Sequence, residues 1–198
     1  MSKTFIFSGS GGQGIMSMGT MLAQAALDSG RHAIYMPSYG PEQRGGSAKC
    51  VVSIDDNEIP CPMVEYGELL VAMSKLAYDK FIYELKPGGV LLYDNTMITE
   101  EIERKDITAI PVPAGNLAIE LGSPKIANVI VDGVLVGMTD IVTPEEFIKS
   151  LDMKFASKSE EVRALNKKAF EKEIVLKPIL AKVDTVKSEE RRVKNANA

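Results

Sequence analysis

The N-terminal segment constrains the fold most, because an apolar strand sequence leads directly into a glycine-rich turn and then into a helix sequence. Residues 4–7 form a short apolar run, and four of the six residues at 9–14 are glycine. Over residues 15–29, small and apolar side chains recur at helical spacing. This order directs backbone N–H groups and a helix N-terminus at one place, which suits a phosphate or another anion.

The glycine spacing matches a dinucleotide-binding fingerprint only in part. Gly9, Gly11 and Gly14 fit the pattern G-x-G-x-x-G. A nicotinamide or flavin dinucleotide site also needs an acidic residue about 20 positions later, at the end of the second strand. The second predicted strand, residues 32–38, contains no acid, and the next one is Glu42. Ordinary NAD or FAD binding is therefore disfavoured, and it stays open that the glycines serve only tight packing of a helix on a strand.

Strand and helix patterns alternate along the chain to about residue 115. Predicted strands cover residues 4–7, 33–36, 47–54, 69–73, 90–94 and 107–112, and predicted helices cover residues 15–29, 74–85, 117–121 and 126–138, with two more opening near residues 144 and 160. Short continuous apolar runs are expected of strands buried on both faces of a parallel sheet. The alternation predicts a three-layer α/β/α, Rossmann-like fold with a doubly wound, mainly parallel sheet and C-terminal helices.

Length and charge narrow the class of protein. A chain of 198 residues with 45% hydrophobic and 25% charged residues suits one globular domain, predicted to span residues 1–182. The charged residues 183–198 are predicted to be a frayed or disordered tail. The net charge of −4 gives no general basic surface for nucleic acid. No apolar run approaches the ~18 residues of a membrane span, and a strand begins at once without a signal peptide, so a cytoplasmic protein is expected.

Catalytic and metal-binding residues are hard to find in the sequence. Cys50 and Cys61 are too few for an iron–sulfur cluster and are interpreted as reduced thiols. The one histidine, His32, has no nearby partners of the kind a metal site or a catalytic triad needs. The sequence therefore predicts a protein that binds or positions, with no catalytic residue and no metal ligand of its own.

A second loop, at residues 39–46, also has the character of a binding site. It contains Glu42 and Arg44 braced by three glycines and a proline. An arginine fork suits bidentate contact with a phosphate or a carboxylate, although a salt bridge between Glu42 and Arg44 that orders a surface loop stays open. Ligands of open α/β sheets bind beyond the carboxyl ends of the strands, where Asp94 and Asn95 are also expected. For those two residues, helix capping or turn formation stays open.

The predicted binding residues lie in the two loops. They are Gly9, Gly11, Gly12, Gln13, Gly14, Tyr39, Gly40, Glu42, Arg44, Gly45 and Gly46. Together, residues 11–14 and, about 25 positions later, residues 38–46 resemble the gamma subunit of 2-oxoacid:ferredoxin oxidoreductases. The resemblance covers about residues 1–180 and is closest to the 2-oxoglutarate branch.

The resemblance implies a reaction and an assembly. The implied reaction is oxidative decarboxylation of a 2-oxoacid with coenzyme A, which gives an acyl-CoA, CO2 and reduced ferredoxin. This chain has no Gly-Asp-Gly thiamine motif and no cysteine cluster. The resemblance therefore assigns thiamine diphosphate to alpha and beta subunits and the iron–sulfur clusters to a ferredoxin-like delta subunit. It leaves open contact of this chain with coenzyme A and self-pairing of the isolated chain.

Three functions follow from these observations. The leading hypothesis is a subunit that is necessary for a 2-oxoacid oxidoreductase but has no catalytic residue of its own. A stand-alone nucleotide-binding oxidoreductase and a purely structural interface subunit are the alternatives.

Overall fold

The computed structural model describes residues 3–38, 46–60 and 65–171, which fold around one sheet. The strands are β1 (Lys3–Ser10), β2 (His32–Ser38), β3 (Ser47–Asp55), β4 (Gly67–Ala72), β5 (Leu85–Asp94) and β6 (Thr108–Val112). The helices are α1 (Ile15–Asp28), α2 (Lys75–Phe81), α3 (Ala114–Glu120), α4 (Ala127–Met138), α5 (Pro144–Lys154) and α6 (Glu160–Phe170), with 3-10 turns at Ile82–Glu84 and Pro124–Ile126. The predicted domain end at residue 182 and the tail at 183–198 lie outside the described residues, so both stay predictions.

The described strands form a six-stranded sheet in the order β2-β3-β1-β4-β5-β6. The pairs β1–β4, β4–β5 and β5–β6 are parallel, whereas β3 runs antiparallel to both of its neighbours, β1 and β2. Antiparallel neighbours need only a short connection, and the chain passes from β2 to β3 within residues 39–46. The predicted Rossmann-like α/β fold is confirmed, with β3 as an antiparallel strand that the pattern did not reveal.

Side chains alternate between the two faces of the sheet, as expected of strands. One face, here called the helical face, carries Phe7 and Val71 and packs against α1 and α3–α6. The opposite face, here called the α2 face, carries Ile6 and Leu70 and packs against α2 and the segment that precedes β6. The sheet therefore lies between two layers, as the three-layer prediction requires, but the layers differ in thickness.

Helix starts agree with the capping signals in the sequence. The Thr143 hydroxyl accepts a hydrogen bond from the Glu146 N–H, and the Glu146 carboxylate accepts one from the Thr143 N–H, which is a capping box. Ser74 caps α2 through the Ala77 N–H, and Ser159 caps α6 through the Val162 N–H. These local contacts satisfy N–H groups that a helix leaves free in its first turn.

The start of β5 differs from the prediction. Residues 86–89 were expected to end a helix and precede a strand at residue 90, but β5 already begins at Leu85, and the helix ends earlier with a 3-10 turn. The register between β4 and β5 shifts between the pairs Gly67–Leu85 and Leu69–Val90. Gly88, with a φ of 74°, donates its N–H to the Asp106 carbonyl. The glycines allow the strand to be irregular here, because a β-bulge needs backbone conformations that glycine adopts readily.

Candidate anion-binding site at the glycine turn

The glycine turn lies at the point where the fold reverses its winding. It follows β1, whose parallel neighbour is β4. The helix after β1 packs on the helical face, and the helix after β4 packs on the α2 face. The carboxyl ends of two such strands form a crevice, which is where open α/β sheets bind ligands.

Gln13 fixes the turn across this crevice. Its Oε1 accepts a hydrogen bond from the Ser10 N–H at 2.6 Å, and its Nε2 donates to the Met73 carbonyl at 2.8 Å. Met73 follows β4 directly, so the Gln13 side chain joins the ends of the two strands. Both ends of the amide therefore make hydrogen bonds within the protein, so Gln13 braces the turn, and its binding role stays a prediction.

Gly9 also has a packing role. A Cβ added there would lie 2.6 Å from Ile15 Cδ1 and 2.7 Å from Gln13 Oε1. Only glycine allows α1 and the Gln13 side chain to approach β1 this closely. For Gly9, the structure supports the interpretation that the glycine serves close packing.

The remaining turn residues present free backbone donors. Gly12 and Gly14 adopt φ values of 96° and 77°, and α1 begins at Gly14 without a side-chain cap. The N–H groups of Gly12, Gly14, Ile15 and Met16 have no acceptor among the described residues. Free N–H groups at the positive end of a 14-residue helix attract an anion.

The structure places the end of the second loop against this turn. The Gly11 N–H donates to the Gly46 carbonyl at 3.1 Å, and Ser10 pairs with Ser47 in the sheet. Tyr39, Gly40, Glu42, Arg44 and Gly45 lie outside the described residues, so their binding role stays a prediction. The flanking residues show that the segment carrying Arg44 begins and ends at the same sheet edge as the glycine turn.

Asp94 caps a helix instead of facing a ligand. Its carboxylate is buried and accepts hydrogen bonds from the N–H groups of Thr96 at 3.0 Å and Gly115 at 3.3 Å. Asn95 donates its N–H to the Val112 carbonyl, which joins the same turn to the end of β6. The capping and turn interpretation of this segment is therefore the one that the structure supports.

Sequence reasoning missed Asn128, which reaches the glycine turn from the first turn of α4. A Cβ at Gly14 would lie 2.5 Å from Asn128 Nδ2. Asn128 is only 6% exposed, and its Oδ1 is buried without a hydrogen-bond partner. One signal could have found it, because Asn128 and Asp132 are the two polar side chains of an otherwise apolar helix.

Asp132 and Cys50 are buried ionisable groups near the same helix interface. Both carboxylate oxygens of Asp132 are buried without a partner, and burial raises its pKa well above the ordinary value. Burial is also the main cause that raises the pKa of Cys50 to about 12. The Cys50 Sγ donates to the Ile15 carbonyl at 3.4 Å. A thiol in this state is inert at neutral pH, which excludes Cys50 as a nucleophile.

The described part of the chain contains neither a cluster of metal ligands nor a membrane-spanning helix. No group of three or more His, Cys, Asp or Glu side chains there could hold a metal ion. Among residues 3–38, 46–60 and 65–171, no helix has the length and apolarity needed to cross a bilayer.

These features define an α/β protein with a glycine turn, a candidate anion-binding site, at the switch point of its sheet. Residues 4–173 match the family described as pyruvate ferredoxin/flavodoxin oxidoreductase. The chain belongs to this family, and the resemblance carried by the two loops is thereby confirmed.

Curated relatives have different lengths. The chain is 39% identical over 153 residues to the ketoisovalerate oxidoreductase subunit VorA of Methanothermobacter thermautotrophicus, covering 76% of this chain but 31% of that protein. It is 38% identical over 154 residues to the 2-oxoglutarate synthase subunit KorC of Methanocaldococcus jannaschii, covering 76% of this chain and 82% of that protein. The chain thus spans about a third of the ketoisovalerate relative but most of the 2-oxoglutarate one.

Solved structures share the fold. The gamma subunit of a keto/oxoacid ferredoxin oxidoreductase from Geobacter sulfurreducens is 31% identical, with a TM-score of 0.75 and coverage of 90% of this chain and 99% of that one. The 2-oxoglutarate:ferredoxin oxidoreductase of Magnetococcus marinus, determined with 2-oxoglutarate, coenzyme A and succinyl-CoA bound, is 27% identical. Its TM-score is 0.83, and the match covers 89% of this chain and 31% of that one. Family membership favours an oxidoreductase subunit over a stand-alone nucleotide-binding enzyme.

Proposed function

We propose that this chain is the gamma subunit of a heteromeric, cytoplasmic 2-oxoacid:ferredoxin oxidoreductase. Its partners are alpha and beta subunits that hold thiamine diphosphate and a delta subunit that holds iron–sulfur clusters. The observation that carries the proposal is the glycine turn, where the N–H groups of Gly12, Gly14, Ile15 and Met16 have no acceptor in the part of the chain that the structure describes. The thiamine and iron–sulfur chemistry is assigned to the partners, as the resemblance to this family implies.

The substrate that we propose is 2-oxoglutarate. Identity to the ketoisovalerate and 2-oxoglutarate relatives is nearly equal, at 39% and 38%. The 2-oxoglutarate form of the loop at residues 38–46 supports this branch. The structural similarity to the 2-oxoglutarate:ferredoxin oxidoreductase of Magnetococcus marinus supports the same choice.

The role of the chain within the complex is to receive coenzyme A. Phosphates of coenzyme A are anions that the free N–H groups of Gly12, Gly14, Ile15 and Met16 suit. Arg44 belongs to the loop that ends against Gly11 and adds a charge-assisted contact. The 2-oxoglutarate enzyme of Magnetococcus marinus, which was determined with coenzyme A bound, is similar in structure to this chain and supports this choice of ligand.

Co-purification tests the assembly. A tagged copy of the chain, isolated from its native host under mild conditions, is expected to bring thiamine-binding and ferredoxin-like subunits with it. Mass spectrometry identifies those subunits, and a coenzyme A-dependent assay with 2-oxoglutarate, pyruvate and 2-oxoisovalerate measures the substrate preference. Isolation of the tagged chain without any thiamine-binding partner contradicts the proposal.

Substitution of Arg44 separates ligand binding from a purely structural role. In the assembled complex, Arg44→Ala is expected to raise the KM for coenzyme A about tenfold with the subunits still associated, because a charge-assisted hydrogen bond is lost. Arg163→Ala is the matched control, since Arg163 lies on α6 and makes only a 4.0 Å ion pair with Asp152. An unchanged KM in the Arg44 variant favours a structural interface subunit instead.

A further inference from the structure

Asn128 is a buried amide that makes no hydrogen bond within the described residues, although it lies against the glycine turn. Its Oδ1 is fully enclosed without a partner, and its Nδ2 packs onto Gly14 at the start of α1. An amide taken out of water without a partner destabilises the folded protein. Packing alone needs no amide, since leucine has a similar shape and brings no polar group to bury.

The free donors of the turn lie beside this amide. Gly14 is the N-cap of α1, and the N–H groups of Gly14, Ile15 and Met16 lack acceptors in the described part of the chain. An anion bound by these N–H groups would lie near Asn128 Nδ2, because that nitrogen is 2.5 Å from the position that a Cβ on Gly14 would take. The amide can thus donate one more hydrogen bond to the same anion.

Asp132 carries a second unpartnered polar group on the same helix. It lies four residues after Asn128 on α4, so both side chains share one face of the helix. Its carboxyl group is 1% exposed and has no partner on either oxygen. Burial raises the pKa of Asp132 well above its ordinary value, which favours the protonated carboxyl group over the carboxylate. Asn128 Oδ1 is an unused acceptor one helical turn away.

We propose that Asn128 is a ligand-binding residue of the glycine turn. Its Nδ2 donates to a phosphate oxygen that the N–H groups of Ile15 and Met16 also hold. The Asp132 carboxyl group is a positioning residue, which donates to Asn128 Oδ1 and thereby presents the amide nitrogen to the ligand. The inference rests on the proposed function, because it takes a phosphate of coenzyme A as the anion at this turn.

The first test replaces the amide in the assembled complex. Asn128→Leu is expected to raise the KM for coenzyme A about tenfold, since a hydrogen bond to a charged group is lost, with little change in kcat. The melting temperature is expected to stay equal or rise, because an unpaired buried polar group is removed. If Asn128 only packs under the turn, Asn128→Leu lowers the melting temperature and leaves the KM for coenzyme A unchanged. That result overturns the inference.

Asn166 provides the matched control. It is a buried asparagine on α6 whose Nδ2 donates to the Val162 carbonyl at 2.7 Å, far along the chain from the turn. Asn166→Leu is expected to lower the melting temperature because it leaves that carbonyl without its side-chain donor, and to leave the KM for coenzyme A unchanged. An equal rise in KM for both variants contradicts a specific role of Asn128.

Asp132 is tested by conservative rescue. Asp132→Asn keeps a donor of similar shape and is expected to keep the KM for coenzyme A within about twofold of wild type, whereas Asp132→Leu removes the donor and is expected to raise it several-fold. Equal KM values for the two variants contradict the positioning role.

A separate readout distinguishes failure of this inference from failure of the proposed function. Binding of coenzyme A to the wild-type complex is compared with binding of pantetheine, which carries no phosphate. If the two bind equally, the turn holds no phosphate, and both the proposed coenzyme A role of the turn and this inference fail, whereas the subunit assignment is still tested by co-purification. If coenzyme A binds more tightly in wild type and equally well in the Asn128→Leu complex, only the role of Asn128 fails.

Discussion

The two faces of the sheet are covered in different ways. The helical face is closed by α1 and α3–α6, and strand residues such as Phe7 and Leu92 are fully buried there. The α2 face is covered by one short helix, a 3-10 turn and the segment before β6, and Met36, Tyr93 and Ala109 remain half-buried there. Strand side chains therefore alternate between a thick apolar layer on the helical face and a thin apolar layer on the α2 face.

The contacts that close the two faces also differ. On the helical face, apolar packing dominates, as in the stacked rings of Phe147 and Phe170, whose centroids are 4.9 Å apart. On the α2 face, charged side chains tie the edges of the layer. Lys49 pairs with Glu84 at 2.7 Å and lies 5.0 Å over the Phe81 ring, and Arg104 donates to the carbonyl of Leu85 at 2.8 Å. Stability is thus expected to reside mainly in the helical face.

Truncation of one phenylalanine on each face gives the largest expected contrast. Phe147→Ala, at a fully buried ring, is expected to lower the free energy of unfolding by about 3–5 kcal/mol. Phe81→Ala on the α2 face is expected to cost about 2 kcal/mol, since the thin layer can close over the gap or admit water. Urea denaturation of the full-length chain measures both, and equal losses contradict the contrast between the faces.

The buried acid of the helical face predicts a dependence of stability on pH. Burial raises the pKa of Asp132 in the folded state, so the folded protein holds a proton that the unfolded chain releases. As pH rises above the ordinary aspartate value, about 4, wild type is expected to lose stability relative to Asp132→Asn. The difference is expected to grow by about 1.4 kcal/mol for each pH unit above the ordinary aspartate pKa until the raised pKa of the folded state is passed.

Chemical denaturation at several pH values measures this difference. Asp152→Asn, at a half-exposed carboxylate on α5, is the control and is expected to follow wild type closely. Parallel stability curves for wild type and Asp132→Asn rule out a raised pKa for Asp132.

A double-mutant cycle tests the contact between α4 and the glycine turn. Gly14→Ala is expected to lower the free energy of unfolding by about 1–2 kcal/mol, because alanine is strained in the left-handed backbone conformation of Gly14. The added Cβ also clashes with Asn128, which lowers the free energy of unfolding further. In the double variant, Asn128→Ala is expected to restore about 1 kcal/mol of the free energy of unfolding, because it removes the side chain that clashes with the new Cβ. Gly12→Ala is the matched control, because Gly12 also has a positive φ but open space around it. If Asn128→Ala rescues both glycine variants equally, the contact is not specific.

The smallest effect is expected at the exposed rim of the α2 face. Tyr83, in the 3-10 turn after α2, is 75% exposed. Tyr83→Ser is expected to change the free energy of unfolding by less than about 0.5 kcal/mol. Comparison with Phe81→Ala, two residues earlier, locates the boundary between core and surface on this face. A loss as large as that of Phe81→Ala indicates that the layer extends further than the exposure shows.

Local patterns predicted most elements of the fold. The strand, glycine turn and helix at the N-terminus, the capping box at Thr143 and the start of α6 after Ser159 all lie where short-range signals placed them. These signals suffice because a cap or a turn involves residues within four positions of one another. The glycine run predicted the turn between β1 and α1 for the same reason, and its binding role stays a prediction.

What the sequence determined by itself is therefore local: the alternation of strand and helix, the caps, and a turn able to hold an anion. The tertiary structure decided the antiparallel course of β3, the use of Gln13 as a brace to Met73, and the capping role of Asp94. It also brought Asn128 against Gly14, across more than a hundred residues of chain. Such contacts depend on how the layers pack, and periodicity within one segment carries no information about the segment that packs against it.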